Sequence, residues 1–100
     1  MIPKEIESSM SQISKICKTY HIRELSLFGS RARGDNSKHS DFDFLVEFKP
    51  DAKTSLFDLY AIQSQLEDVV KEKVDLVPKL GLKSSIREGI LNQTIKIYAQ

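Results

Sequence analysis

The stretch Glu24–Phe48, ELSLFGSRARGDNSKHSDFDFLVEF, decides how the chain folds. Glu24 to Phe28 reads as a short strand with Leu25 and Leu27 on one face. It stops at Gly29-Ser30, and Arg31-Ala32-Arg33 then makes a single helical turn closed by Gly34. Asp35 to Ser40 is a polar loop. Asp41 to Phe48 alternates again: Phe42, Phe44, Val46 and Phe48 share one face, and Asp41, Asp43, Leu45 and Glu47 share the other. Lys49-Pro50-Asp51 ends this second strand.

On the N-terminal side, Ile6, Met10, Ile13, Cys17 and Tyr20 recur at spacings of four, three, four and three, one stripe of an amphipathic helix from about Pro3 to Tyr20. Pro3 suits the first turn. On the C-terminal side, Ser55 to Lys73 predicts a long helix with Leu56, Leu59, Ile62, Leu66, Val69 and Val70 on its buried side. Ser55 caps it and Asp58 adds negative charge to its first turn. Val74-Asp75-Leu76-Val77 is a third strand, ended by Pro78. A last helix is expected over about Lys83 to Tyr98, with Ile86, Ile90, Leu91, Ile95 and Tyr98 on its apolar side, while Ile97 leaves a strand-like tail open. The order of elements gives an α/β or α+β sandwich, a small mixed sheet flanked by helices.

The chain has 100 residues, which predicts one domain over 1–100 that buries a modest core without disulfides or structural metal. Net charge is +1, from 15 basic and 14 acidic residues, so there is no general attraction for nucleic acid or membrane. The single cysteine, Cys17, makes no internal disulfide and lies on the first helix's apolar stripe, as a core residue. The N-terminus MIPKEIESSM is no signal peptide, and no apolar run reaches membrane-spanning length. The expectation is a cytoplasmic protein.

Asp41 and Asp43 stand about 6.6 Å apart along one strand face, at a rise of ~3.3 Å per residue. Asp75 joins them if the third strand lies beside the second. At ~5 Å and an effective dielectric near 20, each like-charged pair costs about 3 kcal/mol. Three pairs approach ~10 kcal/mol, comparable with the whole stability of a domain. Either the carboxyls partly protonate or a cation neutralises them. Their oxygens favour Mg²⁺ or Mn²⁺ over zinc. A D-x-D pair alone is also what a half-exposed strand presents to solvent, and Glu47 is read that way.

Gly29-Ser30 lies between a strand and a helical turn. Glycine lets the backbone approach a ligand closely, the helix start offers N–H groups to an anion, and Ser30 adds a hydroxyl. Arg31 and Arg33 supply charge for phosphate oxygens. An ordinary capped turn with solvated arginines has the same sequence. The combination is more specific than either half, because metals bridging phosphates to carboxylates serve phosphoryl and nucleotidyl transfer.

With these residues in view, GSRARGDNSKHSDFDFLVEF resembles the G-S, ten residues, D-x-D signature of the DNA polymerase β-like nucleotidyltransferase superfamily, and VDLV matches its later third carboxylate. The resemblance spans nearly the whole chain and is similar to the minimal nucleotidyltransferases of prokaryotes, antitoxin-type partners of HEPN-domain proteins. It implies that Gly29 and Ser30 hold the nucleotide triphosphate, with Arg31 and Arg33 as further phosphate contacts. It implies that Asp41 and Asp43 bind two Mg²⁺ ions, with Asp75 completing one site and helping deprotonate the attacking hydroxyl. Larger antibiotic-modifying relatives carry an added helical region for the acceptor. The sequence given stops at Gln100 without one, so a partner or self-association is expected to complete the acceptor site, as a hetero-oligomer or homodimer.

The implied reaction moves AMP from ATP to a hydroxyl, a tyrosine, of a HEPN toxin, within a type VII-like toxin–antitoxin pair. Added bulk and charge would disable RNA binding. The competing readings are a non-catalytic antitoxin that occludes its partner, and a small-molecule, antibiotic-directed transferase. Direct action on nucleic acid is not expected. His39 is read as a surface loop histidine, His21 as a helix-end dipole contact, Tyr60 as packed, and Tyr98 as packed or at an interface.

Overall fold

The computed structural model describes residues 2–29, 41–79 and 94–100. In chain order these form α1 (Lys4–Glu7), α2 (Met10–Thr19), β1 (Ile22–Phe28), β2 (Phe42–Phe48), α3 (Leu56–Val70), β3 (Val74–Pro78) and β4 (Ile95–Ala99). The strands make a sheet of order β3-β2-β1-β4. β1 runs antiparallel to β2 and β4, and β2 runs parallel to β3. The sheet is therefore mixed, as expected, and the fold is α+β.

Alternation along β2 sets the layers. Phe42, Phe44 and Val46 join Leu25, Leu27, Val74 and Leu76 in one buried cluster with Ile13, Cys17, Ile62, Leu66 and Val70 from α2 and α3. The Phe42 and Phe44 rings lie 6.4 Å apart at 24° to each other. Ile97 closes the cluster from β4. Cys17 is wholly buried within it, and burial pushes its thiol up to about 12 from an ordinary 9.0.

The N-terminal helix is broken where the periodicity predicts continuity. Ser9 takes φ −117° and ψ 13°, which ends α1 and restarts the chain as α2. The serine pair competes for backbone hydrogen bonds: Ser8 Oγ donates to the Glu5 carbonyl at 3.5 Å and Ser9 Oγ donates across to the Val69 carbonyl of α3 at 3.4 Å. The apolar stripe survives the break, with Ile6, Ile13 and Cys17 buried.

α3 starts with the cap that Ser55 predicts. The Asp58 N–H donates to Ser55 Oγ at 3.4 Å, and the Ser55 N–H donates to Asp58 Oδ2 at 3.0 Å, a reciprocal capping box. Two expectations of packing fail here: Leu56 is 72% exposed and Tyr60 71%, and Phe57 beside them is 85% exposed. Leu59, Ile62, Leu66, Val69 and Val70 form the face that packs against the core. Lys71 ends it in the left-handed region, φ 62°.

The last element replaces the end of the expected helix with the strand-like tail that Ile97 left open. Ile95–Ala99 is a strand, and the Gln100 N–H donates to the Arg23 carbonyl at 2.9 Å. β1 would otherwise leave its outer backbone groups unpaired, and the run Ile95-Lys96-Ile97 alternates with a period of two. The first part of the expected helix, 83–93, lies outside the described residues, as do the turn Arg31–Arg33 and the loop Asp35–Ser40. Among the described residues, no helix is long and apolar enough to cross a membrane.

Candidate active site

β2 and β3 run parallel in a register that sets Asp43 beside Asp75. Register partners on neighbouring strands project from the same face, about 4.8 Å apart at the backbone. Asp41 stands just before β2 and shares that face by alternation. The third-strand aspartate thus lies where the acidic pair requires it. Asp43 is half-buried, and Asp41 and Asp75 are exposed.

The end of β1 reaches the same place. Phe28 pairs with Asp43, so Gly29 follows beside that carboxylate. Gly29 has φ +78°, and a Cβ built on it would overlap the Asp43 carboxylate, with Asp43 Cγ only 3.3 Å away. Only glycine meets both conditions without strain. The role of Gly29 seen here is to make room for Asp43. Ser30, Arg31, Arg33 and His39 lie outside the described residues.

Further along the same face the chemistry changes. Ser26 and Leu45 are 3% and 4% exposed, so the middle of the face is covered. Beyond them Glu47 accepts from Lys79 Nζ at 2.9 Å and lies 3.7 Å from Arg23. Glu47 was expected as a solvated residue, but it ties together the ends of β1, β2 and β3. A cleft of about 410 Å³ opens beside it, lined in part by Phe48, Lys49, Pro78 and Lys79.

Two supports were not legible in the sequence. The Phe42 N–H donates to the Lys73 carbonyl at 2.9 Å, and the Val74 N–H donates to Glu67 Oε2 at 3.0 Å. Glu67 sits on α3 among other polar residues, and nothing in its spacing marks it. At His21 the backbone takes φ 58°, and its carbonyl accepts from the Lys49 N–H at 3.0 Å.

Among the described residues, no three carboxylate, imidazole or thiol groups stand together as a ready-made metal cage. The donor chemistry nevertheless fits a hard divalent cation. Asp43 and Asp75 are neighbours on one face with Asp41 adjacent, all are oxygen donors, and Gly29 leaves space at Asp43.

The sequence family of the nucleotidyltransferase domain matches residues 10–97. A protein adenylyltransferase, MntA, of Thermococcus cleftensis is 34% identical over 95 residues, covering 94% of each chain. A Methanocaldococcus jannaschii homologue is 33% identical over 93 residues, 87% of this chain and 93% of its own. Among solved structures, one assigned as a minimal nucleotidyltransferase superposes with a TM-score of 0.76 at 29% identity, covering 89% of each chain. The same fold recurs at 18% identity and a TM-score of 0.73 in a toxin–antitoxin structure with AMP-PNP, over 91% of this chain and 73% of that one.

Proposed function

The chain belongs to the nucleotidyltransferase domain family, and from that premise we propose that it transfers AMP from ATP to a hydroxyl of a partner protein. The observation that carries this reading is the parallel register of Asp43 with Asp75 next to Gly29. The donor is assigned to ATP because the Thermococcus relative is a protein adenylyltransferase. The partner is assigned to a HEPN-type toxin, and the acceptor to a tyrosine on it. A structure sharing this fold at 15% identity is a tri-AMPylated HEPN toxin in complex with an MNT antitoxin of Shewanella oneidensis. We read residues 1–100 as one such domain, acting in the cytoplasm, where a buried free thiol is at home.

In this reading Asp41, Asp43 and Asp75 would hold two Mg²⁺ ions, with Mn²⁺ as a substitute. Such ions, when bound, offset the charge of the triphosphate and of the leaving group. Gly29 brings bare backbone to the phosphates, and Ser30, Arg31 and Arg33 complete that side on sequence grounds. Asp75, exposed on its strand, takes the proton of the attacking hydroxyl. The new bond joins the hydroxyl oxygen to the α-phosphorus, the α–β bridging bond breaks, and pyrophosphate leaves.

The test is to mix the protein with the product of the adjacent reading frame, labelled ATP and Mg²⁺, and to repeat it with Asp41→Asn and Asp43→Asn. Labelled partner with the unaltered protein alone is the expected result. An intact partner that never takes label sinks the reading. Variants that lose labelling yet still protect cells from the partner would instead mark neutralisation by occlusion.

A further inference from the structure

β3 carries Asp75 and is an edge strand, five residues long, paired only with β2 among the described residues. Register matters acutely in such a strand. A slip of one residue turns Asp75 to the core face and offers Val74 or Leu76 in its place. An edge strand has half the ladder of a central one to prevent this.

The start of β3 is gripped from both sides. On the inner side, the Phe42 N–H donates to the Lys73 carbonyl at 2.9 Å. On the outer side, where no strand follows, the Val74 N–H donates to Glu67 Oε2 at 3.0 Å. Phe42 lies between Asp41 and Asp43, and Val74 immediately precedes Asp75, so both bonds lie within one residue of the acidic site. Glu67 also fixes the other end of the connection, since its own carbonyl accepts from the Lys71 N–H at 2.8 Å as α3 ends. Only three residues, Lys71 to Lys73, then separate helix from strand.

Glu67 is poorly placed to serve its own helix. It lies in the last turn of α3, where the helix dipole disfavours a negative charge. Its carboxylate instead makes a charge-assisted bond to a peptide N–H, stronger than a neutral one. We infer that Glu67 is a positioning residue, whose carboxylate sets the register of the edge strand and thereby holds Asp75 beside Asp43. This inference rests on the reading of Asp41, Asp43 and Asp75 as the cation-binding carboxylates.

The experiment compares the unaltered protein with Glu67→Ala, Glu67→Gln and Val70→Ala. Mn²⁺ binding is followed by electron paramagnetic resonance and amide exchange at Val74 to Leu76 by NMR. Gln keeps an acceptor oxygen at the same reach. Val70→Ala removes buried packing one turn end away and lowers Tm while leaving the clamp intact. Glu67→Ala is expected to weaken Mn²⁺ binding about tenfold and to speed exchange at Val74 to Leu76. Glu67→Gln should stay near the unaltered protein, and Val70→Ala should lose Tm without losing Mn²⁺. Equal loss of Mn²⁺ affinity in Glu67→Ala and Val70→Ala overturns the inference, since only general stability would then be at work. Full Mn²⁺ affinity in Glu67→Ala overturns it as well. Failure of the unaltered protein to bind Mn²⁺ is a different result: it overturns the carboxylate reading, and this inference with it.

Discussion

One face of the sheet carries acidic residues at both ends, and the two ends behave differently. At one, Asp43 and Asp75 are register partners with Asp41 adjacent, and among the described residues no cation pairs with Asp41 or Asp75. At the other, Glu47 is paired with Lys79 at 2.9 Å and approached by Arg23 at 3.7 Å. Two carboxylates near 5 Å repel by about 3 kcal/mol at an effective dielectric near 20. A compensated ion pair at a partly exposed site is worth only about 1 kcal/mol or less. The first arrangement is set by backbone register, and under the proposed function a cation would relieve its repulsion. The second serves to tie strand ends together. Alternation alone shows both as acid on a solvent face; the register of Asp43 with Asp75 and the Lys79 and Arg23 contacts of Glu47 tell them apart.

The largest effect on transfer should come from the aspartate end. Asp43→Asn keeps size and shape but removes one negative charge from the pair. Transfer of label to the partner should fall by about a thousandfold, far more than any accompanying change in Tm would explain. Chelation of divalent cations should abolish transfer by the unaltered protein without unfolding it. If Asp43→Asn instead lowers Tm sharply and spares transfer, the acidic end is structural and the comparison collapses.

Much of this is legible in the sequence itself. The alternation in Asp41–Phe48 gave the strand and the face shared by Asp41 and Asp43, and the short apolar run around Asp75 gave its strand. What sequence could not supply was adjacency: nothing in VDLV says which strand it joins, and the parallel register with β2 had to be seen. Elsewhere, local pattern lost to tertiary demand. Ile95 and Tyr98 fit a helical stripe three residues apart, yet the open edge of β1 took Ile95–Ala99 as a strand. Ser9 fits inside a helix by spacing, yet its hydroxyl is drawn to the Val69 carbonyl and the helix breaks there. Leu56 heads the apolar stripe of its helix and Tyr60 was expected to pack, yet both are exposed.

A middle-sized effect tests the boundary between the two ends from the side of β1. Gly29→Ala places a methyl group against the Asp43 carboxylate at φ +78°. The backbone part of the penalty is about 1 kcal/mol, and displacement of Asp43 by an ångström should cost transfer roughly a hundredfold. The two parts separate in a double-variant cycle. In an Asp43→Ala background the steric part vanishes, so Gly29→Ala should cost less Tm there than alone. Strict additivity of the two Tm changes would show that Gly29 answers only to backbone conformation.

The smallest effect belongs to Glu47. Its side chain is 26% exposed and that of Lys79 21%, so solvent screens the pair only in part. Glu47→Gln keeps a hydrogen-bond acceptor for Lys79 and removes the charge, and the expected loss is about 1 kcal/mol or less of stability. That loss should shrink further as salt rises, because the pair it removes is itself weakened by screening. Transfer should stay within about twofold of the unaltered protein, since the covered residues Ser26 and Leu45 stand between this end and the aspartates and independent sites add. Urea midpoints at low and high salt, read beside the labelling rate, give both quantities. A labelling loss in Glu47→Gln approaching that of Asp43→Asn would mean the face works as one charged surface. Glu47 would then belong with the aspartates despite its ion pairs.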